Sequence, residues 1–342
     1  METEKLTRVK YFRMSKLQLE QPSEGIMPSG PTIISAGELL VEFVSHRKGC
    51  GLEAVSEYSG PYPSGAPAIF IDQAARMGAA TGFYGTVGDD GFGRSLVARL
   101  REDGVDTSGI STDPDRTTGT AFVSYYEDGS RTFIFHLKDT AAEAISFSAE
   151  DLPDGELILH VSAASLGTPK LRNVIVQAVE AVLARGGRIS CDPNARPELM
   201  RDDAARQALQ DIVEQSWCLM PSTSDLGYLF PGLDEAAAVE KMLSAKAEII
   251  ALKRGAEGAT LISQGQRFDI SPHKVEELDP TGAGDGFCGT FVGLLAQGVS
   301  LEEAGRRANA AGAIAVTRRG PMEGNSSPEE IDAFLAAENT RA

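Results

Sequence analysis

Asp279-Pro280-Thr281-Gly282-Ala283-Gly284-Asp285-Gly286-Phe287 is the stretch on which the reading of this chain turns. Three small residues precede an acidic one. A helix is expected from Asp285 to Gln297, with Phe287, Phe291, Leu294 and Leu295 on one side. Small residues let backbone approach a ligand closely. Free N–H groups at Gly282, Ala283 and Gly284, backed by the helix dipole, form an anion site. Asp285 beside that site is placed to accept a proton from an attacking hydroxyl, the work of a general base. An Asp at a helix start is also a common cap. Gly286, Gly289 and Gly293 inside the helix each cost up to about 1 kcal/mol against Ala, so a close approach is expected there.

Outward from this segment, the chain has 342 residues, 42% hydrophobic and 24% charged, enough for one large α/β domain with an appendage. A formal net charge of −17 excludes a protein built to neutralise nucleic-acid phosphates. Cys50, Cys191, Cys218 and Cys288 are scattered without CxxC spacing and read as reduced thiols. His46, His136, His160 and His273 are dispersed too, so no transition-metal site is expected. No apolar run approaches the roughly 20 residues of a membrane span, and the first thirty residues carry no secretory pattern. A loosely ordered extension over residues 1–31 and a cytoplasmic location are expected.

Thr32–Ala36 reads as a buried strand closed by Gly37. Residues 41–63 are too rich in Gly, Pro and Ser for a helix interior. A helix is predicted over Ala68–Met77, a strand over Ala80–Val87, and an amphipathic helix over Phe92–Asp103. Thr117–His136 alternates around Glu127-Asp128-Gly129-Ser130, a hairpin signal. With residues 41–63 it is expected to make a small separate sheet. From residue 156 short apolar strands alternate with helices: Leu157–Val161, Lys170–Arg185, Arg188–Cys191, Asp203–Gln215, Trp217–Met220, Asp234–Ala245, Ile249–Lys253, then a last helix near Leu301–Val316. That alternation predicts a doubly wound, mainly parallel sheet.

The string Asp279–Asp285 resembles the C-terminal signature of the PfkB, or ribokinase-like, carbohydrate kinases. Ser64-Gly65-Ala66-Pro67-Ala68 with Ala74-Ala75-Arg76-Met77-Gly78 is similar to the family's substrate loop and helix. Gly88-Asp89-Asp90-Gly91-Phe92-Gly93 resembles its N-terminal signature. Asp192-Pro193-Asn194-Ala195-Arg196 resembles a segment of the fructokinase and 2-keto-3-deoxygluconate kinase branches, and Lys253-Arg254-Gly255-Ala256-Glu257-Gly258 a glycine turn near the nucleotide. All five occur in the family's order.

The resemblance implies a ribokinase-like domain over residues 32–342, with lid segments near 41–63 and 117–136. It implies ATP and Mg2+, with Asp285 as base and Gly282, Ala283 and Gly284 as anion hole. Asp279 matches a position that helps hold a monovalent cation such as K+; a turn carboxylate is the alternative. Asn309 matches a residue near the adenine, Gly255 and Gly258 lie by the nucleotide, and Lys253 and Arg196 are candidates to neutralise phosphate. On the acceptor side it points to Glu42, Gly65 and Ala66, with Thr120, Tyr126 and Arg131 closing over the sugar.

Three departures set this chain apart. Ile69 stands where many relatives carry a sugar-contacting Asn, with Asp72 a turn later as a substitute. Ser222 and Asp225 replace the family's Asn-x-x-Glu pair near Mg2+ and phosphate. Glu42 replaces Asp. They point to an unusual acceptor, a ketohexose such as tagatose or fructose, or 2-keto-3-deoxygluconate. A P-loop is absent, and Gly91–Leu96 lacks the third glycine of a dinucleotide-binding turn. A nucleoside kinase and a non-catalytic sugar- or nucleotide-binding regulator remain the alternatives. A homodimer through the lid is the expected assembly.

Overall fold

The structure, a computed structural model, describes residues 30–127, 130–195, 202–263 and 265–339. The expected N-terminal extension and Arg196 lie outside these residues. Among the described residues nine strands form the main sheet: β1 (Thr32–Ala36), β4 (Thr81–Gly88), β5 (Ile110–Asp113), β8 (Leu157–Ser162), β9 (Arg188–Asp192), β10 (Cys218–Leu219), β11 (Ile249–Lys253), β12 (Ala259–Ser263) and β13 (Gln266–Ile270). Their order is β13-β12-β11-β10-β9-β8-β1-β4-β5. From β11 across to β5 neighbours run parallel. The predicted parallel sheet is therefore present, with an antiparallel hairpin, β12 and β13, added at one edge.

Helices cover both faces, as parallel strands buried on two sides require. On one face α1 (Ala66–Arg76), α2 (Gly91–Glu102), α7 (Ala283–Ala296), α8 (Leu301–Ala315) and α9 (Pro328–Asn339) bury Phe70, Leu96, Phe291 and Ile331. On the other, α3 (Pro169–Ala184), α4 (Asp203–Gln215), α5 (Thr223–Leu229) and α6 (Glu235–Ser244) bury Val182, Ile212 and Met242. Each large side chain so buried contributes roughly 1.5–3 kcal/mol.

The close approach expected at the glycines of α7 is present at Gly289 and Gly293. A Cβ on Gly289 would lie 2.4 Å from the Phe70 carbonyl oxygen, and one on Gly293 3.4 Å from Ala74. They admit α1 against α7, so the close approach is helix on helix and not helix on ligand.

The small sheet comprises β2 (Leu40–Ser45), β3 (Tyr58–Ser64), β6 (Gly119–Tyr125) and β7 (Arg131–His136), in the order β3-β2-β6-β7. It joins the two segments that the sequence pairs. Asp90 fastens its start to the main body: the carboxylate caps α2 by accepting from the Gly93 N–H, and also accepts from the Thr118 N–H and hydroxyl. Burial pushes Asp90 up, but these donors outweigh it and hold its carboxyl below the usual range. Among the described residues no helix is long and apolar enough to cross a membrane.

Candidate active site

The parallel strands carry their polar ends to one side, where α/β sheets bind ligands. A cavity of about 460 Å³ opens there, lined by Asp192 at the end of β9, Lys253 at the end of β11, and Gly282 to Asp285 at the start of α7. Gly282 is the N-cap of that helix, at φ 83°, and makes no side-chain cap bond. A Cβ there would lie 2.4 Å from the Pro321 carbonyl oxygen, so sterics and backbone both demand glycine. Asp285 is the third residue inside the helix, not its cap, and accepts from the Asn194 amide at 3.4 Å. The aspartate is therefore not the N-cap of α7. The first N–H groups of α7 have no intrahelical acceptor, since four begin every helix unsatisfied.

Lys253 donates to Asp192 at 2.5 Å, and its ammonium lies 3.5 Å from the position a Cβ on Gly284 would take. Burial alone would lower the lysine pKa, but the Asp192 carboxylate raises it well above the ordinary value. A fixed positive charge thus stands behind the glycine loop. Cys288 packs against the same pair, 3.4 Å from Asp192; burial pushes its thiol well up, so it stays protonated.

Asp192 and Asn194 are the residues that sequence reasoning left without a role. Asp192 Oδ1 accepts from the Asn194 N–H at 3.1 Å, holding Asn194 at φ 34°, and that turn points the amide at Asp285. Asp225 steadies the next residue, accepting from the Ala195 N–H at 2.9 Å. The signal was available: an Asx turn at Asp192-Pro193-Asn194.

The other expected residues divide. Ser222, Asp225, Gly255, Gly258, Asn309 and Arg131 all line the cavity. Ser222 and Asp225 form the capping box of α5, so the softened motif has a structural duty. The Asn309 amide donates to the Ser271 carbonyl at 2.9 Å. Asp279 is buried and accepts from the Tyr125 hydroxyl, the Thr281 N–H and the Gly320 N–H, so three protein donors occupy the carboxylate expected to face a cation.

The Ser64 hydroxyl of β3 donates diagonally to Glu42 of β2 at 3.4 Å; Gly65, at φ 111°, is the N-cap of α1 and Ala66 its first residue. Thr120 is the second residue of β6 and Tyr126 lies beyond its end near Gly51; neither lines the cavity. Asp72 is a correction. It is fully buried between Asn325, whose amide donates to it at 2.6 Å, and Arg99 at 3.7 Å. On α1 it faces Arg99 of α2 and Asn325 of the C-terminal segment, which take up its carboxylate, and it does not line the cavity.

A glycine loop at a helix N-terminus, a carboxylate beside it and a paired ammonium behind it, gathered at the ends of parallel strands, define a small-molecule kinase site. The chain belongs to the pfkB family of carbohydrate kinases, whose model matches residues 34–328. Fructokinase-1 of Oryza sativa subsp. japonica is 32% identical over 320 residues, covering 90% of this chain and 98% of its own. An E. coli protein described as a candidate ribokinase II, solved with ATP and Mg2+, is 39% identical with a TM-score of 0.84, over 90% of this chain and 99% of that one. Fructokinase of Vibrio cholerae O395, solved with fructose, ADP and a calcium ion, is 25% identical with a TM-score of 0.78, over 90% and 99%.

Proposed function

We propose that this chain transfers the γ-phosphate of ATP to a hydroxyl of a small sugar, with fructose as the first acceptor to test. The observation that carries the reading is the position of Asp285, inside the first turn of α7 on the same cavity as Lys253 and the glycine loop. The Asp285 carboxylate takes the proton of the acceptor hydroxyl as its oxygen bonds to phosphorus. The bond to the bridging oxygen breaks and ADP leaves with the electron pair. N–H groups of the Gly282–Gly284 loop and the Lys253 charge face the negative charge spread over the transferring group. Asn194 fixes the carboxylate's direction.

The donor set fits a nucleotide's phosphates, whose oxygens with water would hold most of the Mg2+ shell, since the Asp192 and Asp225 carboxylates on the cavity already accept from Lys253, Asn194, Ala195 and Ser222. Bound there, the ion would neutralise phosphate charge. Asn309 and the Gly255–Gly258 turn lie on the nucleotide side, with Glu42 and Gly65 on the acceptor side. The small sheet is the lid between them, with Arg131 reaching the cavity from its edge. Closure excludes water that would otherwise take the phosphate.

The fructokinase names of the relatives support fructose over an aldose. The test is an ADP-release screen with ATP and Mg2+ over fructose, tagatose, ribose, 2-keto-3-deoxygluconate and nucleosides. Fructose or tagatose is expected to give the highest kcat/KM. Turnover confined to a nucleoside would replace the acceptor, and none at all would overturn the reading.

A further inference from the structure

Building on that reading, we propose that Tyr125 is a positioning residue: its hydroxyl ties the lid to the anion loop, so that the phosphate site is held in order when the lid is seated. The Asp279 carboxylate draws its donors from three segments. Thr281 N–H belongs to the loop itself and Gly320 N–H to the segment after α8, both at 3.0 Å. The Tyr125 hydroxyl comes from the end of β6, in the lid, and lies also 2.6 Å from Thr281 Oγ1. It is the one of the three that leaves when the lid lifts.

A second lid tyrosine grips the neighbouring segment. Gly320, at φ 102°, passes so close to Tyr62 of β3 that a Cβ there would lie 2.6 Å from the ring. The next residue, Pro321, is the one whose carbonyl oxygen leaves no room for a side chain on Gly282. Loops 279–284 and 320–321 are thus interlocked, and the lid holds both. Tyr62 stands opposite Glu42 in the β2–β3 register, so strands of the acceptor side carry the grip.

A buried tyrosine hydroxyl usually finds a partner, so a purely structural role has to be set against this one. What distinguishes the two is where the partner sits. A buried carboxylate that loses one of three donors is poorly compensated, and its loop should loosen. Packing of the Tyr125 ring against Val44, Val123, Tyr62 and Phe133 is independent of the hydroxyl.

Tyr125→Phe in the full chain separates these contributions. Hydrogen exchange followed by mass spectrometry should show amides of residues 279–286 exchanging about tenfold faster, the effect of one lost hydrogen bond to a charged acceptor. With fructose and ATP, kcat should fall roughly ten- to a hundredfold, as expected for a misplaced catalytic loop, while the acceptor KM moves less than about threefold. Exchange unchanged across 279–286, or kcat kept at the parental value, would overturn the proposal. Should the variant not fold, Thr281→Val removes the hydroxyl's second partner and should show the same exchange change in smaller measure; its absence would be equally decisive. A parent inert toward every acceptor would sink the kinase reading alone, since the exchange measurement needs no turnover.

Discussion

Lys253 and Asp192 form an ion pair of 2.5 Å directly behind the glycine loop, joining the ends of β11 and β9. The lysine side chain is 14% exposed and the aspartate 2%, so neither charge has water to fall back on. Removing one partner of such a pair strands the other, which costs about 3–5 kcal/mol. Lys253→Met should therefore lower the calorimetric Tm by many degrees as well as reduce kcat. Lys253→Met with Asp192→Asn should regain much of the stability but not the turnover. If the double variant recovered activity as well, the ammonium would have no part in the chemistry.

Two glycines of the same helix should answer differently to alanine. Gly282→Ala forces a side chain at φ 83° against the Pro321 carbonyl, so it should lower both kcat and stability, the latter by about 1–3 kcal/mol. Gly289→Ala meets the Phe70 carbonyl in the α1–α7 contact and should destabilise while sparing kcat per folded molecule. Urea unfolding with active-site titration resolves the two. Equal kcat losses would contradict the separation.

Glu38 gives a pH signature. Burial raises its carboxyl from 4.5 to about 7, against the opposing hydrogen bonds from the Ser165 hydroxyl at 2.5 Å and the Ala66 N–H. Between those values the folded state holds a proton that the unfolded chain has released. The stability that Glu38 contributes is thus full below about pH 4.5 and is lost as pH rises to 7, by about 3 kcal/mol in all. Asp72, raised to about 7 chiefly by burial, acts with the same sign. Glu38→Gln, which keeps an oxygen for Ser165, should flatten but not abolish the fall of Tm over that window. A slope identical to the parent's would contradict the assignment.

What the sequence made legible was local. Thr32–Ala36 is a strand with the predicted ends, because an apolar run before a positive-φ glycine has few alternatives. Tyr58–Ser64 falls largely within the 41–63 segment expected to join the small sheet, and Pro61 and Pro63 are tolerated there because β3 lies at the sheet's edge. Asp285 and the glycine loop were found because their spacing is itself a signal, whereas Lys253 came from the resemblance of its turn to the family's. Tyr125, Asn325 and Gly320 were not, for their partners Asp279 and Asp72 lie 154, 253 and 41 residues away. Nothing local marks such a contact. Asp72 misled for the same reason: its carboxylate is taken up by Asn325 and Arg99, distant in sequence, and no local pattern announces them.

The central claim rests on Asp285 as the proton acceptor. Asp285→Asn keeps the size of the side chain and an oxygen for the Asn194 amide. ATP affinity, measured by calorimetry, should stay within a few-fold of the parent, while the rate of ADP formation with the preferred sugar falls by about 10²–10⁴ or more. Turnover within tenfold of the parent, at unchanged ATP affinity, would contradict the account.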